Sequence, residues 1–413
     1  MENKCINKSP WSYRYGLFYM RLSLTNHKNM SKGFKIHHLP PPHKALKLIV
    51  TIPVKNEAEF IIPTLQALAQ QDLSTESATC FEVIVLINHS SDDTLKKCRN
   101  FQLNNPTFQL HILVTYAPDI CNVGAARKVM MDLAATRLTH THHIIAMTDA
   151  DTRVSKDWIS KLLQYILKPV DFICGSIRVN CTYLNPFAQM MFDAKECYLL
   201  YRAQLEASLM PETHDPWPQH AANSGPNMAI KKGAYLKIGG MPALECLEDS
   251  AFHQRAVHHG LRVRHDPEIQ VETSARLHSR VTRGFGEELN FWSQLTDSSY
   301  VYAVEGLQKM QLRLAAYALV KEAYLEQLGR FDEIANLLKF PDHAISTIFN
   351  AQPNYQAMNQ RLFTVLEKHK PWQAAYPNIS VLEANEQLEA FFAKETSAIA
   401  YSFPKELVQI PAE

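Results

Sequence analysis

The chain has 413 residues, 46% of them hydrophobic and 20% charged, which excludes a disordered or fibrous chain and implies a sizeable core. That length exceeds one average domain, so an α/β domain with an appendage or two separate domains both fit. A formal net charge of +1 provides no global field for nucleic acid or an anionic membrane, so no nucleic-acid partner is expected.

The basic excess is local. Nine Lys or Arg residues precede Leu48 against the single acid Glu2. Residues 1–43 show no sustained periodicity and end in Pro40-Pro41-Pro42, which reads as a flexible basic arm leading into a stiff linker. The eight cysteines are scattered with no C-x-x-C pair, so buried reduced thiols are expected rather than a disulfide framework or a zinc site. No apolar run approaches the roughly 20 residues that span a bilayer, and the first 30 residues lack a signal-peptide core. A soluble, cytoplasmic protein is expected, with peripheral membrane contact left open.

From Lys44 onward, apolar runs alternate with helix-period segments. Residues 46–52 (LKLIVTI) predict a strand and 59–71 a helix with Pro63 in its first turn. Residues 81–87, 108–114, 142–148 and 170–180 predict four more strands, with helices near 92–103, 123–138 and 155–167 between them. Strands rich in Ile and Val without alternating polar residues are those buried on both faces. The repeated alternation therefore predicts an α/β fold with a mostly parallel sheet flanked by helices. A long helix is expected over 186–209, then a loop at 211–227, then shorter elements to about 285. Beyond 286 the chain reads as helical.

In parallel sheets ligands bind beyond the carboxyl ends of the strands. Three such ends are polar or acidic: Pro53 to Glu57, Asn88 to Asp93, and Thr148 to Asp151. Asp149 and Asp151, one residue apart after a buried strand, offer hard oxygen ligands to Mg²⁺ or Mn²⁺. Alone the pair is a weak signal, since such residues also close strand-end turns. Glu248 and Asp249 open an apparent helix about 100 residues later. They read either as acids that favour a helix N-terminus or, for Asp249, as a general base. Asn56, Glu57, Asn88 and Asp92 are types that bond a base edge or ribose hydroxyls, although Ser91 or Asp92 also suits a helix cap. Arg127 reads as a nucleotide contact or a surface cation. Arg276 and Arg280 carry guanidinium forks of the kind that grip a diphosphate, and His278 reads either as structural or as completing a metal shell. Trp217, His214 and His220, in the loop at 211–227, suit either an acceptor lid or an ordinary connection.

The motifs PVKNE, INHSSDDT, GAARK, TDAD, SGPNMAIKKGAYLKIGGM and LEDSAF follow one another in the order seen in family 2 glycosyltransferases, which this chain resembles over about 46–285. The resemblance implies a GT-A-type, Rossmann-like domain at 44–285, after the arm at 1–43 and before a helical C-terminal extension at 286–413. It implies an inverting, metal-dependent hexosyltransferase that uses a nucleoside-diphosphate sugar. Pro53, Asn56, Glu57, Asn88, Asp92 and Arg127 would line the nucleoside pocket, and Asn88 stands where many relatives have Asp. Asp151 would bind the metal directly, with Asp149 on the ribose or the outer shell. Asn227, Gly239 and Gly240 would border the acceptor cleft. Asp249 would be the base, with Glu248 beside it. The acceptor would be a saccharide, a small molecule or a lipid-linked sugar. A retaining transferase, a sugar-phosphate nucleotidyltransferase and a non-catalytic nucleotide-sugar-binding or scaffold protein on the same fold remain as alternatives.

Overall fold

The computed structural model describes residues 39–396 except 74–75, 182–183, 277–283, 296–299, 328, 341–344, 346–348 and 350–351. The basic arm lies almost wholly outside the described residues, as do His278 and Arg280.

Four strands and three helices open the fold in strict alternation: β1 (Leu48–Val54), α1 (Ile61–Ala69), β2 (Phe81–Asn88), α2 (Thr94–Asn104), β3 (Leu110–Thr115), α3 (Val123–Arg137) and β4 (Ile144–Met147). They pair in parallel, with β1 between β2 and β4 and β3 outside β2. Every residue of β2 and β4 is buried, the polar Glu82 and Asn88 included, as expected of largely apolar strands covered by helices on both faces. Alternate side chains of β1 separate the two layers. Leu48, Val50 and Ile52 pack with Ile61 and Leu65 of α1, whereas Ile49 packs with Met130 and Ala134 of α3.

Beyond β4 come β5 (Thr152–Val154), α4 (Trp158–Leu163), β6 (Phe172–Asn180), α5 (Pro186–Leu209), β7 (Met228–Lys231), α6 (Lys232–Lys237), α7 (Glu248–His258) and β8 (Val263–Ser274). The eight strands form one sheet in the order β3-β2-β1-β4-β7-β6-β8-β5. The expected α/β class and mostly parallel pairing are borne out, with a difference at its far side. β6 does not continue the parallel run; β7 inserts between it and β4 and is antiparallel to both. β5 and β8 have little apolar continuity, and β8 contains Pro267 opposite an irregularity at Gly175/Ser176 of β6. Period alone therefore does not reveal them.

The helical region follows: α8 (Phe285–Gln294), α9 (Leu307–Glu326), α10 (Phe331–Leu338), α11 (Tyr355–Lys368), α12 (Lys370–Ala375) and α13 (Val381–Thr396), with a two-stranded ribbon of β9 (Ala303–Val304) and β10 (Ile379–Ser380). Its first apolar cluster includes Ala188, Met191 and Leu205 of α5 beside Trp292, Met310, Leu314 and Leu388. The packing unit thus recruits a helix that precedes residue 286. Asn354 Nδ2 donates to the His258 carbonyl (2.8 Å) and Gln360 to the Gln254 carbonyl (3.3 Å), so this region also braces α7.

One buried ion pair ties α3 to the sheet. Arg137 forks onto Glu82 at 2.7–2.9 Å, with His111 Nε2 3.4 Å from the same carboxylate. Burial opposes the Glu82 charge, but His111 and Arg137 hold its carboxyl below the usual range. Arg137→Met leaves this carboxylate with only His111 and is expected to cost about 3–5 kcal/mol, read as a fall in the urea midpoint. An unchanged midpoint would show that the pair contributes nothing to stability.

Candidate active site

The site stands at the carboxyl ends of β1, β2 and β4. The first two loops are laced together. Asn56 Oδ1 accepts from the Ser91 amide (2.8 Å), and the Asn56 amide donates to Ser90 Oγ (2.9 Å). The Glu57 amide donates to Thr94 Oγ1 (2.8 Å), and the Ala58 amide to Asp92 Oδ2 (3.0 Å). The other Asp92 oxygen accepts from the Thr94 amide and hydroxyl at 3.1 and 2.5 Å. Although burial opposes the charge, these donors lower the Asp92 pKa, Thr94 foremost. Asp92 therefore staples one loop to the other.

Backbone strain gathers at the same edge. Asn56 (φ 51°), His89 (φ 49°) and Leu247 (φ 56°) adopt the left-handed region that side chains disfavour. Such residues persist where surrounding structure holds them for a purpose, at roughly 1–3 kcal/mol each. Leu247 stands directly before Glu248 and Asp249, so its turn sets how α7 presents both acids.

Arg127, one turn into α3 and buried, joins two parts of the site. Its Nη2 donates to Asp149 Oδ1 (2.5 Å) and its Nε to Glu248 Oε1 (3.1 Å). Burial alone would weaken its charge, but Asp149, Glu248 and Asp249 raise its pKa. Burial pushes the Asp149 carboxyl upward, Arg127 opposes this, and Asp151 and Asp249 add to the rise. Burial and then Asp249 push Glu248 up to about 7. Gly225 lies against this cation: a Cβ there would stand 2.3 Å from Arg127 Nη2. Its amide donates to Asp249 Oδ2 (2.8 Å), while the Ser250 amide donates to Oδ1 (2.7 Å). Asp249 is thus oriented through both oxygens in the first turn of α7.

Asp151 is held from the other side. Its Oδ2 accepts from Ser274 Oγ (2.5 Å) and lies 2.6 Å from Arg276 Nη2. Arg276 also forks onto Glu57 (2.9 and 3.0 Å) and lies over the Phe60 ring. Its fork, expected to face a diphosphate, is here engaged with protein carboxylates. The Arg276–Glu57 link joins residues 219 positions apart, and no sequence signal announces it.

Of the expected site residues, Pro53, Asn56, Glu57, Asn88, Asp92, Arg127, Asp149, Asp151, Glu248, Asp249 and Arg276 gather at these strand ends and the edge facing them. Asn227 is engaged otherwise. Its buried amide donates to the Ser176 and Ile269 carbonyls (both 2.8 Å) and accepts from Trp158 Nε1 (2.9 Å). Gly175 makes room for it, because a Cβ there would stand 2.2 Å from its Nδ2. Gly239 and Gly240, both at positive φ, terminate α6. The 211–220 stretch is pinned by Arg264 to Asp215 and to the carbonyls of Pro216 and Pro218. His220 packs edge-on against His265 rather than bonding any of the carboxylates above. No described hydrogen bond joins Trp217 or His214 to those carboxylates.

Residues 49–225 match the family model described as glycosyl transferase family 2, which bears out the resemblance carried by the first four motifs. LEDSAF and Asp249 lie beyond the end of that match. Among proteins of curated function none matches the chain. Among solved structures, the mannosyltransferase PcManGT from Pyrobaculum calidifontis, in complex with GDP-Man and Mn²⁺, is similar at 17% identity and a TM-score of 0.42, over 89% of this chain and 92% of that one. S. aureus TarS 1–349 in complex with UDP-GlcNAc is similar at 14% identity and a TM-score of 0.42, over 78% and 92%. No described helix is long and apolar enough to cross a membrane.

Proposed function

We propose that this chain transfers a sugar from a nucleoside-diphosphate donor to an acceptor hydroxyl, with inversion, by a single in-line displacement. One observation carries the reading beyond the family match. Asn88 Oδ1, Thr148 Oγ1 and Arg127 Nη1 are buried around the strand ends without a hydrogen-bond partner. Each such orphan costs about 1–3 kcal/mol, so three at one edge fit a polar ligand that satisfies them on binding. Asn88, at the end of β2, suits a base edge. Arg127 suits the ribose or diphosphate.

The charge balance fits a cation. Five carboxylates (Glu57, Asp149, Asp151, Glu248 and Asp249) share two guanidiniums, Arg127 and Arg276. This excess of hard anionic oxygen suits Mg²⁺ or Mn²⁺. Asp151 is the residue that would hold the ion, with Asp149 beside it. The bound ion would supply Lewis-acid stabilisation of the departing diphosphate.

The remaining steps belong to the chain's own side chains. Asp249 takes the proton from the acceptor hydroxyl as its oxygen attacks the anomeric carbon. Both Asp249 oxygens retain lone pairs beyond those facing Gly225 and Ser250, so the base accepts a third bond without leaving its seat. Arg127 keeps Glu248 and Asp149 from repelling the donor phosphates.

The reading is tested by thermal stabilisation with UDP and GDP, with and without Mn²⁺ or Mg²⁺. A nucleoside diphosphate is expected to stabilise the chain only with the ion, by about 2.7 kcal/mol at 100-fold excess over Kd. Absence of any shift across the set would refute it.

A further inference from the structure

Cys174 of β6 and His265 of β8 are register partners on adjacent parallel strands, so their side chains share one face of the sheet. α7 crosses that face and brings His253 to them. The three potential ligand atoms lie within 4.8 Å of one another. We propose that Cys174, His253 and His265 bind a zinc ion that clamps α7 onto the sheet, separate from the carboxylate site.

The donors are prepared for a metal in three ways. First, His265 Nδ1 is 2.7 Å from Asp215 Oδ2. With Nδ1 given to that carboxylate, the ring turns its other nitrogen toward Cys174, whose side chain it hydrogen-bonds, and zinc would take the place of that proton. Asp215 is itself fixed by the His265 amide (2.9 Å) and Arg264 (3.0 Å), which reproduces the carboxylate–histidine–metal relay that orients such ligands. Second, His253 Nε2 is buried with no hydrogen-bond partner, a cost that coordination removes. Third, one sulfur and two imidazoles are a soft-to-borderline set that selects zinc over Mg²⁺ or Mn²⁺.

The fit requires only local adjustment. Tetrahedral zinc with bonds of about 2.0–2.3 Å places its ligand atoms about 3.3–3.8 Å apart, against separations of at most 4.8 Å here. His220 packs beside His265, and its Nδ1 accepts from the Ala222 amide (3.0 Å), so its buried Nε2 carries the hydrogen. That tautomer donates rather than ligates. His253 follows Asp249 by one helical turn, so a clamp at His253 fixes the first turn of α7.

The test is metal analysis of the full chain, purified without a histidine tag or chelator. About one zinc per chain is expected to survive dialysis, to persist in Asp151→Asn, and to fall at least tenfold in Cys174→Ser and His253→Gln. Because those variants risk misfolding, the unaltered chain is also reconstituted with Co²⁺, where a sulfur-to-metal charge-transfer band is expected. Zinc that dialyses away, zinc lost in Asp151→Asn, or a cobalt form without that band would each overturn the proposal.

Discussion

Asp249→Asn is expected to lower sugar transfer by about 10²–10⁴-fold while leaving donor affinity nearly unchanged, because it removes the proton acceptor and keeps the shape. The amide cannot serve Gly225 and Ser250 equally. One backbone N–H then faces an NH₂ group, so a stability loss of about 1–2 kcal/mol accompanies the change. Transfer kinetics beside a donor-binding isotherm separate the two effects. Unchanged turnover would remove Asp249 as the base, and binding lost together with turnover would make it a donor contact instead.

Asp151→Asn is expected to raise the Mg²⁺ or Mn²⁺ concentration needed for half-maximal turnover by at least about 100-fold, since altering even groups behind a metal's ligands commonly costs 10–100-fold. Titration of turnover against the ion measures this. Asp149 contrasts with Asp151 in its partners. It is tied to the buried Arg127, whereas Asp151 faces Ser274 and Arg276. Arg276 must share or yield its place at Asp151 when a cation enters, so Arg276→Gln is a useful companion variant. An Asp151→Asn enzyme with ordinary metal response would place the ion elsewhere.

Much of the first half of the fold was legible because burial on both faces writes itself into sequence as unbroken Ile and Val runs. β1 to β4 and the helices between them follow from that pattern, and the strand ends then localise Glu57, Asn88 and Asp149. The far side of the sheet obeys a different rule. β8 alternates charged and apolar residues around Pro267, and β5 has three residues, so neither carries a run long enough to read.

The wiring of the candidate site was less legible than which residues gather there. Arg276 was expected on a diphosphate, but its bonds to Glu57 and Asp151 depend on where β8 ends. Asn227 was expected at the acceptor cleft on resemblance alone, while its amide closes three buried bonds among Trp158, Ser176 and Ile269. The cysteine spacing concealed the Cys174–His253–His265 cluster for the same reason. Its members come from two strands and a helix brought together only by the sheet order.

The most direct measurement is mass-spectrometric: the purified chain is incubated with a panel of nucleotide-sugars and Mn²⁺ or Mg²⁺, and donor consumption is followed. Release of a nucleoside diphosphate from at least one donor, dependent on the ion and suppressed in Asp249→Asn and Asp151→Asn, is the expected result. No release or transfer from any donor, with either ion and a range of acceptor hydroxyls present, would contradict the account.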